Sequence, residues 1–154
     1  MAPPEPPELA FTFEIRAQVG EPRSFGRTRH GERRIVAITG GTFEGPQIRG
    51  RVLPGADWQL IHDDGLSELD TRYALETDAG DLIYVQNAAI RHAAPDVIRE
   101  LLAGRPVDPA LVYFRTIPRF ETSAPGLQEL TRSIFIGSGE RYPDRVVIRV
   151  WKVT

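Results

Sequence analysis

The stretch from Ser67 to Asn87 constrains the fold of this chain more than any other. Leu69, Thr71, Tyr73 and Leu75 alternate with Glu68, Asp70, Arg72, Ala74 and Glu76. A side-chain period of two belongs to a strand. Asp78-Ala79-Gly80 supplies a tight turn, because Gly80 tolerates a positive φ. Leu82 to Asn87 is rich in β-branched and aromatic residues, which suit a pleated, half-buried surface. A β-hairpin is therefore expected at the centre of the chain. Asp70 and Arg72 stand side by side on one of its faces.

The same pattern recurs on both sides of this hairpin. Leu9, Phe11, Phe13, Ile15, Ala17 and Val19 alternate with mostly polar residues and predict a strand with its apolar face inward. Gly20-Glu21-Pro22 ends it. Further strands are expected over residues 23–30, turning at His30-Gly31, and over 34–39, closed by Gly40-Gly41. Others follow over 47–53, with Gly50 inside, and over 57–62, with Pro54-Gly55 as the turn between these two. Residues 111–122, 133–137 and 145–153 complete the set, with Gly137-Ser138-Gly139 as a turn. Ala94-Pro95-Asp96 opens the one clear helix and Gly104 stops it. Residues 125–130 add a short turn of helix. Nine or ten short strands at nearly regular spacing predict an all-β protein. Strand glycines at bends favour a closed antiparallel, lipocalin-like β-barrel with one short helix over a sandwich. The Pro-rich residues 1–8 form a tail, and residues 9–154 one domain.

Composition removes several function classes. A net charge of −2 supplies no field for nucleic acid or an anionic membrane. The absence of cysteine excludes disulfides and thiolate chemistry. No apolar run approaches membrane-spanning length, and the N-terminus lacks the regions of a signal peptide, so a cytoplasmic protein is expected. His30, His62 and His92 lack the close spacing of metal ligands on one element. Neither a Gly-x-Ser-x-Gly elbow nor a phosphate-binding glycine loop is present. No metal and no cofactor are expected.

Charges within strands remain as candidates. Asp70 and Arg72 share a face, and so do Tyr113 and Arg115; Asp57 precedes Trp58, and Glu121 follows Phe120. These charges can face water and pair across strands, each pair contributing about 0–1 kcal/mol. Turned inward, an arginine beside carboxylates can instead clamp a carboxylate or enolate, with a neighbouring Asp or Glu as acid or base.

Several segments occur in an order that is specific as a set. They are Gly40-Gly41, Gly45-Pro46, Pro54-Gly55-Ala56-Asp57-Trp58, Leu69-Asp70-Thr71-Arg72-Tyr73, Thr77-Asp78-Ala79-Gly80, Tyr113-Phe114-Arg115 and Phe120-Glu121-Thr122. Together they resemble the bacterial uncharacterised protein family 0311, or domain of unknown function 3237. The chain departs from the family's pattern at Gly55, Ala88-Ala89 and Glu129-Leu130-Thr131-Arg132. The resemblance implies a lipocalin-like barrel and a homodimer. It also implies an interior cavity lined by Asp57, Trp58, Asp70, Arg72, Tyr113, Arg115 and Glu121, although the alternation of Leu69 to Leu75 by itself places Asp70 and Arg72 outside. Three functions fit. In the first, the barrel binds a small, partly apolar, anionic or carbonyl-bearing molecule through Asp57, Trp58, Arg72, Tyr113 and Arg115. In the second, it is a cofactor-free isomerase, cyclase or lyase, with Asp70 or Glu121 as proton carrier for an enolate. In the third, a filled barrel serves as a structural oligomer.

Overall fold

A computed structural model describes all residues from Met1 to Thr154. Nine strands follow in chain order: β1 (Leu9–Val19), β2 (Arg23–Thr28), β3 (Gly31–Glu44), β4 (Arg49–Ile61), β5 (Leu66–Thr77), β6 (Leu82–His92), β7 (Tyr113–Glu121), β8 (Phe135–Arg141) and β9 (Arg145–Val153). Each sequential pair from β2 to β9 is antiparallel. β1 pairs with β9 on one side and β3 on the other, which closes eight strands into a barrel and leaves β2 as a flap on β3. Helix α1 (Pro95–Leu102) lies between β6 and β7, and the single turn α2 (Glu129–Arg132) between β7 and β8. No helix is long and apolar enough to cross a membrane.

Closure depends on two backbones meeting with nothing between them. Gly41 has φ 129°, and a Cβ there would lie 2.0 Å from the carbonyl oxygen of Arg16. Glycine tolerates both the angle and the contact. On the inner face of β8, a Cβ at Gly137 would meet Thr116 Oγ1 at 2.4 Å, and one at Gly139 the Phe114 ring at 2.7 Å. The Gly137-Ser138-Gly139 segment is thus mid-strand rather than a turn: its bare face admits the β7 side chains.

Two other expected breaks are also continuous. β4 runs through Pro54-Gly55, which form an irregularity in the β4–β5 register rather than a turn between strands. The strand expected to end at Gly40-Gly41 continues to Glu44, since its second half pairs with β1. Pro118 stays within β7, and the β7–β8 ladder is only two pairs long, so the residue without an N–H sits beyond it.

One end of the barrel is filled by apolar side chains. Phe13 meets Phe43 and Phe120 edge-on at 5.6 and 5.5 Å, and Phe120 meets Phe135 at 5.2 Å. Leu75, Ile83, Val85 and Val150 are wholly buried beside them. Edge-to-face rings at these distances are favourable beyond their buried area. The expected inward face of β1 holds from Phe13 to Ala17, whereas Leu9 and Phe11 are exposed, on the far side of a register shift between Phe11 and Phe13. Phe13→Ala is expected to destabilise the protein by about 3–5 kcal/mol in a denaturant melt. A loss under about 1 kcal/mol would remove Phe13 from the core.

Candidate functional site

The opposite end of the barrel is polar inside. Strand parity carries the apolar rows outward from the aromatic plug and ends three of them on arginine. On β3 the inward row from that end reads Arg34, Val36, Ile38; on β6 it closes with Asn87, Ala89, Arg91; on β8 it closes with Gly137, Gly139, Arg141. β4 adds Asp57 and Gln59. Register makes these residues neighbours: Arg34 stands across from Gln59, Asp57 across from Thr71, and Thr71 across from Asn87.

Two adjoining spaces occupy this end. A deep cavity of about 50 Å³ is walled by apolar groups such as Ile38, Leu69 and Phe114, with Asp57, Asn87 and Arg91 among its polar members. A vestibule of about 490 Å³ lies outside it, between Arg34, the loop at Gly20–Pro22, the C-terminal turn of α1 and Pro143-Asp144. Val19, Val36, Gln59, Arg91 and Arg141 line both.

Asp57 is fixed inside. Its Oδ1 accepts from the Thr71 hydroxyl at 2.8 Å and its Oδ2 from Gln59 Nε2 at 2.8 Å. Arg91 is 1% exposed, and its Nε and Nη2 have no hydrogen-bond partner. Phe114 lies against it, with the guanidinium carbon 5.9 Å from the ring centroid. Burial pushes Arg91 down to about 10, while Asp57 pulls the other way and Arg141 and Arg34 add to the depression. The group therefore remains charged at neutral pH. Burial also lowers Arg34 and Arg141. Arg141 donates to the backbone carbonyls of Tyr142 and Arg145. Burial raises the Tyr73 phenol, with Asp57 adding to the effect, so it stays protonated. Asn87 Oδ1 and Thr116 Oγ1 are buried without partners as well. Buried polar groups are normally satisfied, and an unpaired buried charge is the most costly exception.

Of the site residues expected from sequence, Asp57 alone lines the cavity. Asp70 and Arg72 lie on the outer face, 3.8 Å apart, with side chains 51% and 55% exposed. The alternation that buries Leu69, Tyr73 and Leu75 dictates this, and the inward placement implied by the resemblance is corrected. Trp58 points outward beside Asp57 and stacks on Phe25 at 6.1 Å. Tyr113 and Arg115 are also outside, the guanidinium resting 5.2 Å over the ring. Glu121 is exposed at the far end of β7. Carboxylates so placed cannot serve a reaction inside the barrel. Arg34, Arg91, Arg141, Gln59, Tyr73 and Asn87 were not singled out from sequence. Continuing the period of two from Ile83 and Val85 through Asn87 and Ala89 reaches Arg91 directly. No group of three or more His, Cys, Asp or Glu side chains is arranged to hold a metal ion.

The family described as "Protein of unknown function (DUF3237)" matches residues 7–153. A UPF0311 protein of Rhodopseudomonas palustris (strain TIE-1) is 48% identical over 147 residues, covering 95% of this chain and 96% of the relative. The crystal structure of a conserved protein of unknown function from R. palustris superposes with a TM-score of 0.93 at 45% identity, covering 98% of this chain and all (100%) of the other. A hydroalkoxylation enzyme of Penicillium herquei is 27% identical over 92 residues, covering 59% of this chain and 62% of the relative. A solved enzyme from P. herquei shares the fold at a TM-score of 0.75 and 19% identity, covering 100% of this chain and 99% of the other.

Two stability outcomes separate inside from outside. Arg72→Ala is expected to change stability by well under ~1 kcal/mol, as for exposed pairs. Arg91→Met removes an unpaired buried charge and keeps most of the volume, so the unliganded protein should gain about 1 kcal/mol or more. Urea melts of both variants check this; a destabilised Arg91→Met protein would mean that Arg91 is already well paired.

Proposed function

This chain belongs to the DUF3237 family of proteins of unknown function, and from that premise we propose that the polar end of its barrel binds a small, partly apolar, anionic or carbonyl-bearing molecule. One observation carries this reading: the Arg91 guanidinium is buried and charged, borders the cavity, and has no hydrogen-bond partner at Nε or Nη2. A carbonyl or oxyanion accepting from this guanidinium offsets its desolvation. Space supports the same view. Ligand pockets run to roughly 300–1,000 Å³. The vestibule, at about 490 Å³, falls within that range, while the deep cavity, at about 50 Å³, takes only the tip of a ligand. The polar-lined vestibule at the mouth of the barrel favours binding over a purely structural barrel.

A second reading is cofactor-free proton transfer, favoured by Asp57. Its carboxylate faces the same cavity as Arg91 and is oriented by Thr71 and Gln59. A base held beside an oxyanion donor can take a proton from an O–H or an activated C–H while Arg91 and the neutral Tyr73 phenol hold the developing negative charge. Adding an O–H across a carbon–carbon double bond, the reaction type in the name of the P. herquei relative, suits this pair when the double bond is conjugated to a carbonyl: the base takes the hydroxyl proton as the oxygen attacks carbon, the donors hold the enolate, and the protonated base returns the proton to the other carbon, with no redox partner. In this account Asp57 takes the acid–base role expected of Asp70 or Glu121.

In this reading the protein is also a homodimer, as the family resemblance implies, and works in the cytoplasm, as expected from its sequence. The outward Ile90 and Ile117, 50% and 62% exposed on adjacent strands, offer apolar area for the contact. Light scattering at micromolar concentration that returns a monomer would remove that part.

A thermal-shift screen of aromatic and alicyclic ketones and acids tests the main reading. The wild-type protein should be stabilised by at least one compound, and Arg91→Met should lose the response. Asp57→Asn should keep binding yet lower any turnover by about 10²-fold or more. A screen that stabilises neither, or a response unchanged in Arg91→Met, would contradict the proposal.

A further inference from the structure

The vestibule carries more positive charge than the deep cavity needs. Arg34 is 8% exposed and lines the vestibule without lining the deep cavity. Neither Arg34 nor Arg91 enters any ion pair of the molecule. Arg141 bridges the two spaces and reaches only backbone carbonyls. The carboxylates nearby, Glu32, Asp57 and Asp144, attract these arginines from a distance, but none forms an ion pair with them, and Glu32 is engaged by the Ser24 hydroxyl. Asp57 is held by Thr71 and Gln59 in the deep cavity. Asp144 is 80% exposed and bound to Arg145, and Glu21 is exposed at the rim. Carboxylates in water are screened, whereas the arginines are out of it. The C-terminal turn of α1 also borders the vestibule, but the end of a helix contributes at most about half a negative charge. Three mutually repelling guanidiniums with one interior carboxylate leave the protein short of an anion.

We infer that the vestibule is a distinct anion subsite, in which Arg34 and Arg141 hold an oxyanion group at one end of the ligand while its carbonyl end enters the deep cavity against Arg91. This deepens the binding reading above and rests on it. The ligand class is thereby narrowed to small, flat or alicyclic molecules with two polar ends: an uncharged carbonyl or enolisable group, and a carboxylate or phosphate separated from it by an apolar body. Both acids present the paired oxygens that a guanidinium fork engages. Val19 and Val36, shared by the two spaces, supply the apolar surface for the body between the ends. Arg34 and Arg141 are positioned to select and orient the ligand, and Arg91 to meet the reacting end.

The test uses matched probes: 4-acetylbenzoate, 4-acetylphenyl phosphate and the neutral 4-acetylbenzamide, titrated by NMR at low, constant ionic strength. At least one acid should bind about tenfold or more tightly than the amide, the range of a charge-assisted contact. Whichever acid is favoured names the source of the oxyanion. Arg34→Gln should reduce the acid-to-amide ratio to near one, with circular dichroism and the thermal midpoint showing that the variant is folded. Arg34→Lys should keep most of the ratio, and Arg141→Gln should repeat the loss. An acid that binds where the amide does not is the limiting form of the expected result. A ratio near one in the wild type, or one that survives both glutamine substitutions, overturns the anion subsite and leaves the deep cavity intact. Failure of all three probes to bind overturns the deep-cavity reading and this inference with it.

Discussion

Everything inside this barrel depends on β3 changing partners. Its first residues pair with β2, and its second half crosses to β1. The crossing needs a backbone bend and a close approach at Gly41. Closure gives each of the eight strands a neighbour on both sides, with the short β7–β8 ladder as its weakest seam, and gives every one of them an inside. Once an inside exists, strand parity decides what fills it. From Phe13, Phe43, Phe120 and Phe135 the rows run through aliphatic residues and end on Arg34, Arg91 and Arg141. The apolar plug supplies the stability, and the opposite end is where unpaired charge is tolerated. Stability is spent on function at a site that sits apart from the core holding the fold.

Much of the fold was legible because period two is a strong local signal. The central hairpin, the β1 alternation, the single long helix and the barrel class follow from residues close in sequence. The breaks were misread where glycine and proline serve packing instead of turning the chain. Gly137 and Gly139 bare the inner face of β8 for Thr116 and Phe114, and Pro54-Gly55 make a local irregularity in β4. Those contacts lie between neighbouring strands, outside the few residues that a local pattern spans, so no such pattern announces them.

The site was less legible, for a related reason. Charged residues crowded near aromatic ones, such as Asp70-Thr71-Arg72-Tyr73, attract attention, yet parity had already placed the Asp70–Arg72 pair outside. Arg91 stands in Ala89-Ile90-Arg91-His92, and its importance comes from where the β6 row ends, not from its neighbours. Asp57 was picked out by its place before Trp58 and within the segments that carry the family resemblance, and the parity change past the β4 irregularity is what turns it inward. An arginine at the end of an inward row in three separate strands is a signal that sequence contains, but only closure shows that the three ends meet.

The central claim is that Arg91 is an open seat for an anion or carbonyl oxygen. Anomalous diffraction from a crystal soaked in sodium bromide tests it most directly. Bromide is spherical, is excluded from apolar cavities, and goes where buried positive charge lacks a partner. The account predicts a bromide peak in hydrogen-bond contact with the Arg91 guanidinium. Peaks confined to the outer surface, with Arg91 turned onto Asp57 as an ordinary ion pair, would contradict it.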